Sequence, residues 1–257
     1  MQIQKPSIPK KYRPRGFEIL HEDPDIIVVD KKSGTLSVAA LWNNDDTVHS
    51  GLNSYVGKGN PRSTKKTFIV HRLDQATSGI LIFAKTERVQ NFLKDNWSKN
   101  EKIYYTIVNG KLKEKSGLIE SFLLEDEDYH VHSSQDNSKG KLARTDYKVI
   151  TENQNFSLLR INLLTGKKNQ IRVHMAELGH PIVGDSKYRS SSNHKGAKPT
   201  SFINKDSTKT KKTEQAIMLH SYSLEITHPF KNERVKFVAN IPERFTKLID
   251  CSEIETN

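Results

Sequence analysis

Apolar residues along this chain fall mostly into short runs rather than long stripes. Phe68-Ile69-Val70 and Gly79-Ile80-Leu81-Ile82-Phe83-Ala84 are two such runs, each bounded by turn residues. Runs of this length, rich in Ile, Val and Phe, predict buried strands. Further strands are predicted near 103–109, 144–150, 156–163, 217–226 and 234–239. Two segments carry a helical period instead. Thr86 caps a predicted helix to about Lys99, with Val89, Phe92, Leu93 and Trp97 on one face and Lys94 and Asp95 turned outward. Residues 169–178 read as a second helix. Ile171, Met175 and Leu178 form its core side, Gly179 follows its end, and Arg172 lies off the apolar stripe. Strands interspersed with few helices give an α+β class.

Composition narrows the partner. The 257 residues can bury a real core and allow one or two domains. Lys and Arg total 41 against 30 acids, a formal net charge of +11. Such an excess favours a polyanion: nucleic acid first, an anionic membrane surface second. No apolar run is long enough to span a bilayer. The segment Met1 to Arg15 has prolines and basic residues but no apolar centre, so it does not read as a secretory signal. A single cysteine, Cys251, excludes an intrachain disulfide framework and cysteine-rich zinc sites. A reducing cytoplasm fits that count.

Three segments follow from these patterns. Residues 1–16 form a basic arm (Lys5, Lys10, Lys11, Arg13, Arg15), expected to be extended or partly disordered. Residues 17–250 form the main domain. Within it, 186–214 is rich in Ser, Thr and Lys. It reads as a solvated loop or as a basic flap that follows phosphates.

Candidate chemistry centres on His71-Arg72-Leu73-Asp74, followed by Gln75-Ala76-Thr77-Ser78-Gly79. A carboxylate here sits in a loop between two predicted strands, beside a cation that favours its ionised form. It can serve as a nucleophile or an electrostatic stabiliser. The ordinary reading is a surface turn with an Arg–Asp pair. His71, His174, His180 and Asp185 match no metal-binding spacing, so a metal site is not expected. Thr77-Ser78-Gly79 has no partnered base at a recognisable spacing, which argues against a serine hydrolase.

The string His-Arg-Leu-Asp-x-x-Thr-Ser-Gly resembles the signature of the RluA-type pseudouridine synthases. Four other stretches resemble the family's landmarks in order. They are Ile26 to Gly34, Lys102 to Gly110, Leu164-Thr165-Gly166 through Gln170-Ile171-Arg172-Val173-His174, and Gly179 to Asp185 with Leu219-His220-Ser221. The resemblance covers roughly 18–243 and implies a mixed, mostly antiparallel sheet split by a central cleft and flanked by helices. It implies an RNA isomerase without cofactor, acting on ribosomal or transfer RNA. Many relatives carry a small RNA-binding domain before the catalytic one. Residues 1–16 are too few for it, so the catalytic domain is expected to bind RNA itself, as a monomer.

The resemblance also assigns roles. Asp74 matches the catalytic aspartate. Tyr104 matches the active-site tyrosine; read alone it is a core strand tyrosine with Tyr105 as competitor. Arg172 matches the arginine that pairs with the carboxylate; read alone it is a surface helix arginine. Arg72 is suited to stack on an extruded base or grip phosphate. His71, Lys167, Lys168 and Gln170 complete the expected substrate contacts. Two departures stand out: Lys167-Lys168-Asn169 replaces the family's Arg-Thr-His, and Lys32 stands where proline is common. Both put the identity of the substrate in question more than the activity. A catalytically silent RNA-binding or ribosome-assembly protein with the same fold is the alternative reading.

Overall fold

The apolar runs pair into one sheet because their backbone groups have no other partners once buried. The computed structural model describes residues 15–39, 46–60, 62–134, 138–189 and 216–254, and every predicted strand is present. In chain order the elements are β1 (Phe17–Glu22), β2 (Ile26–Lys31), α1 (Val48–Val56), β3 (Phe68–Ile69) and β4 (Ser78–Ala84). Then come α2 (Glu87–Asp95), β5 (Glu101–Asn109), β6 (Ser116–Glu125), β7 (Val131–Ser134), β8 (Lys141–Glu152) and β9 (Phe156–Leu163). Last are α3 (Gln170–Glu177), β10 (Leu219–Thr227), β11 (Arg234–Val238) and α4 (Glu243–Thr246). The first fourteen residues of the predicted arm and residues 190–214 of the basic insertion lie outside the described residues.

The strands follow the order β1-β2-β4-β10-β5-β9-β8-β6-β7, with β3 also on β4 and β11 also on β10. All these pairs are antiparallel except β4 with β10. That parallel contact is short, matching Ser78 to His220 and Gly79 to Ser221. It is the seam of the sheet. Gly79 has φ +110°, and a Cβ there would lie 2.2 Å from the Ser221 carbonyl oxygen. The seam therefore admits only glycine at this position. Behind it, Ser78 Oγ hydrogen-bonds His220 Nδ1 at 2.9 Å and accepts from Arg244 Nη2 at 2.6 Å, which fastens α4 to the sheet.

Period-two alternation divides the core. Ile27, Val29, Leu81, Phe83, Tyr104, Val108 and Ile161 face one way, together with Ile171 and Met175 of α3. Ile26, Val28, Ile80 and Ile82 face the other way, under Val89 and Leu93 of α2. Further along that second face, Ile103, Tyr105 and Ile107 meet Phe245 of α4.

Two helix expectations need correction. The helix from Thr86 ends at Asp95 and a 3₁₀ turn, Trp97–Lys99, continues it. Leu178, just past the end of α3, is exposed at 37 %, while Gln170, Arg172 and His174 within it are buried. The helix is enclosed from Gln170 to Ala176, so its polar residues bond partners on neighbouring segments instead of facing water. Among the described residues, no helix is long and apolar enough to cross a membrane.

Candidate active site

Asp74 lies in the loop from β3 to β4, held from both sides by backbone bonds. Leu73 is buried, and its N–H donates to Ser37 Oγ at 3.1 Å while its carbonyl accepts from that hydroxyl at 2.7 Å. Lys31 has its side chain wholly buried. Its ammonium donates to the carbonyls of Lys32, Thr35 and Gln75 at 3.1, 2.8 and 3.0 Å. Gln75 Nε2 returns a bond to the Gly34 carbonyl at 2.9 Å. The turn after β2 thus cradles residues 73–76, leaving the Asp74 side chain a quarter exposed. At Lys32 the backbone N–H donates to the Gly16 carbonyl at 2.8 Å, a bond proline has no hydrogen to make.

Arg172 approaches Asp74 from α3. Its Nη1 donates to Asp74 Oδ2 at 3.4 Å and to Asn169 Oδ1 at 3.2 Å. Its stronger bonds go elsewhere: Nε to Asp185 Oδ2 at 2.7 Å and Nη2 to Asp185 Oδ1 at 2.9 Å. The Tyr188 ring lies 5.1 Å from the guanidinium carbon, a cation–π contact. Asn169 is left-handed, φ 55°, and its Nδ2 donates to the Tyr188 hydroxyl at 2.9 Å. This is one of the two family departures, and it closes the ring of contacts around Arg172.

Tyr104 on β5 is buried and shares its face with the Asp74 side of the core, whereas Tyr105 packs edge-on against Tyr222 on the other face. Burial pushes the Tyr104 hydroxyl up to about 12, the Ser221 side chain offsets part of this by hydrogen bonding, and the Asp74 charge adds to the rise. The hydroxyl is therefore protonated at neutral pH.

The other predicted residues separate by environment. Arg72 is exposed, and Asp74 takes its ion pair from Arg172 rather than from Arg72. His71 turns away from the carboxylate: its Nε2 accepts from the Ile82 N–H at 3.2 Å and its ring meets Trp97 at 4.5 Å. Burial, with Lys102 nearby, lowers it to about 3, so it is neutral. Gln170 is buried and pins the start of α3. Its Oε1 accepts from Thr165 Oγ1 and Lys167 N at 2.8 and 3.0 Å. Its Nε2 donates to the Arg144 carbonyl and Thr145 Oγ1 at 3.0 and 2.9 Å. Lys167 and Lys168 are exposed, and Lys168 pairs with Glu125 and lies 5.2 Å from the Tyr129 ring centre.

His174 and His180 bond separately, to Thr145 Oγ1 and to the Asn109 carbonyl, each at 2.8 Å. Among the described residues two other groups gather candidate ligand atoms within 4.8 Å: Asp126 with His130 and His132, and Asp23 with Asp25 and His228. Asp23 Oδ2 already accepts from His21 and His228, at 2.8 and 2.9 Å. Neither group reaches Asp74. The sequence reading missed Ser37, the hold of Lys31 on the loop, and the partnership of Asp185 with Arg172. Asp185 lies in the stretch Gly179 to Asp185, but a spacing of 13 residues across a turn carries no sign of contact.

The structure thus gathers a partly exposed carboxylate, a buried guanidinium paired with it and a buried tyrosine that feels its charge. The chain belongs to the RNA pseudouridylate synthase family, whose model matches residues 25–177. It is 35 % identical over 237 residues to ribosomal large subunit pseudouridine synthase D of Borreliella burgdorferi, covering 88 % of this chain and 66 % of that protein. The synthase D of Neisseria meningitidis is 33 % identical over 246 residues, covering 94 % of this chain and 63 % of the relative. The chain thus spans a little under two thirds of the length of these relatives. An RNA pseudouridine synthase of Chlorobaculum parvum is 32 % identical, with 71 % of its length covered. The fold matches human RNA pseudouridylate synthase domain containing 4 with a TM-score of 0.67 and 20 % identity, over 89 % of this chain and 90 % of that one.

Proposed function

We propose that this protein isomerises uridine to pseudouridine in RNA, with Asp74 as its catalytic carboxylate. The observation that carries the reading is the pairing of Asp74 with a buried arginine at the seam, in a member of this family. The reaction breaks the bond from the sugar C1′ to N1 of uracil, turns the base and joins C1′ to C5. The C5 proton leaves and N1 gains one, so nothing is oxidised or reduced. Asp74 acts close to C1′ or the ring, where Arg172 pairs with it. Tyr104 packs against the base and holds a proton at its hydroxyl. Arg72, exposed beside Asp74 in sequence, takes the place of the extruded base or grips the adjacent phosphate. The relatives are named for the large ribosomal subunit, and we extend that substrate, a stem-loop of large-subunit ribosomal RNA in the cytoplasm, to this chain.

The test is tritium release from RNA carrying tritium at carbon 5 of uracil. Wild type releases it; Asp74→Asn binds the same RNA and releases none above background. RNA binding by the wild type with no release would make the chain a silent binding module and overturn the reading. Mapping pseudouridines in ribosomal and transfer RNA with and without the gene identifies the substrate.

A further inference from the structure

We propose that Asp185 is a positioning residue. It occupies the guanidinium fork of Arg172 and leaves Asp74 oriented but not tied down. The distances divide the arginine unequally. Asp185 receives two bonds, 2.7 and 2.9 Å, while Asp74 receives one at 3.4 Å. A two-bond arginine–carboxylate pair is the strongest of its kind and engages the carboxylate's lone pairs. At Asp185, wholly buried, that engagement does no harm. At Asp74 it would blunt a group whose electron pairs the reaction uses.

Asp185 is itself fixed. Its Oδ1 also accepts the backbone N–H groups of Lys187 and Tyr188, at 3.0 and 3.2 Å. Tyr188 in turn lies against the guanidinium and takes the Asn169 amide on its hydroxyl. Arg172 therefore meets restraints along its fork, across its face and at Nη1, and it cannot swing toward Asp74 without breaking several contacts. The three groups Asp74, Arg172 and Asp185 sum to a net −1, so a negative charge persists in the site beside Tyr104. A simple buried ion pair explains stability alone. The unequal sharing with a second, partly exposed carboxylate is what points to a role in turnover.

The activity readouts rest on the synthase reading above; the spectroscopic one does not. In the full chain, Asp185→Asn frees the fork for Asp74. The expected result is a fall in kcat of about tenfold or more, with KM for RNA within about threefold. The acid limb of the kcat–pH profile moves to lower pH, because Asp74 no longer shares the cation. Asp185→Glu keeps the charge; it retains part of the rate and leaves the acid limb in place. The Arg172 Nε–H resonance, assigned by comparison with Arg172→Lys, shifts strongly in Asp185→Glu and little in Asp74→Asn. The proposal falls if this resonance responds more to Asp74→Asn. It also falls if Asp185→Asn loses rate only as its folded fraction falls, with the acid limb unmoved. Should Asp185→Asn not fold, the glutamate variant and the resonance decide. A wild type without synthase activity but with the expected resonance pattern would refute the synthase reading and leave the bracket standing.

Discussion

Tyr104 shows how one residue's environment limits its chemistry. Burial holds its hydroxyl at about 12, so near pH 7 it keeps its proton and can donate a hydrogen bond. Tyr104→Phe keeps the ring and removes that hydroxyl. RNA affinity is expected to change less than about twofold, and kcat to fall about a hundredfold, the scale of losing one positioned acid–base group. Single-turnover rates at saturating RNA check this; a weakened affinity with unchanged turnover would move Tyr104 to binding alone. Arg172→Met, which removes the partner of both the buried and the partly exposed carboxylate, is expected to destabilise by about 3–5 kcal/mol and to reduce kcat more than RNA affinity. Urea unfolding and turnover measured on the folded fraction separate the two effects. Asp74 and Arg172 were legible in the sequence because each sits inside a distinctive string. The direction of the His71 side chain was not legible, since adjacent strand residues point to opposite faces and the strand-end register is set by tertiary packing.

At the scale of elements, the uniformly buried strands were readable; of the partly exposed ones β8 and β11 were read, while β1, β6 and β7 were not. β4 is buried at every position, and its apolar run announced it. β6 alternates exposed and half-buried residues, and its Glu, Ser and Gly break any run. α1 was missed for a different reason. Its capping box uses Thr47 and Ser50, where glutamate or glutamine is the usual second member, and only Val48 and Leu52 are buried. α3 was placed correctly but read as one-sided, since its enclosed polar residues bond across tertiary contacts that no helical period encodes. The seam between β4 and β10 is the element contact most sensitive to change. Gly79→Ala is expected to cost about 3 kcal/mol or more, because the added methyl meets rigid backbone. The urea midpoint checks this, and an effect below about 1 kcal/mol would mean the two strands can part without penalty.

For the whole molecule, charge governs two measurable responses. Lys167 is exposed with its side chain facing solvent, whereas Lys168 is paired with Glu125. If both face RNA, Lys167→Ala should lower the log–log salt slope of binding by roughly 0.7 to 0.9, and Lys168→Ala by less. Equal slopes for both variants would contradict this division. Acid acts through desolvated histidines: loss of hydration depresses half-buried His71 to about 3, and buried His174 and His220 to about 4 and about 3. A histidine lowered in the fold binds its proton only on unfolding, so stability is full above about pH 6.5 and drains as pH falls toward 3 to 4. Thermal melts should show the midpoint dropping from near pH 6.5; a flat midpoint down to pH 4.5 would refute the neutral state of these rings in the fold. The seam also sets an order of events. The Ser78–His220 bond joins positions 142 residues apart, with every strand from β5 to β9 between them in the chain. Closing so long a loop is entropically costly and pays back only after the intervening hairpins exist. On the ribosome, Asp74 and Arg172 both emerge well before β10, so the nascent chain carries its chemical groups before it has the strand that aligns them. Competence should therefore arrive late in refolding, with turnover lagging behind the recovery of sheet structure.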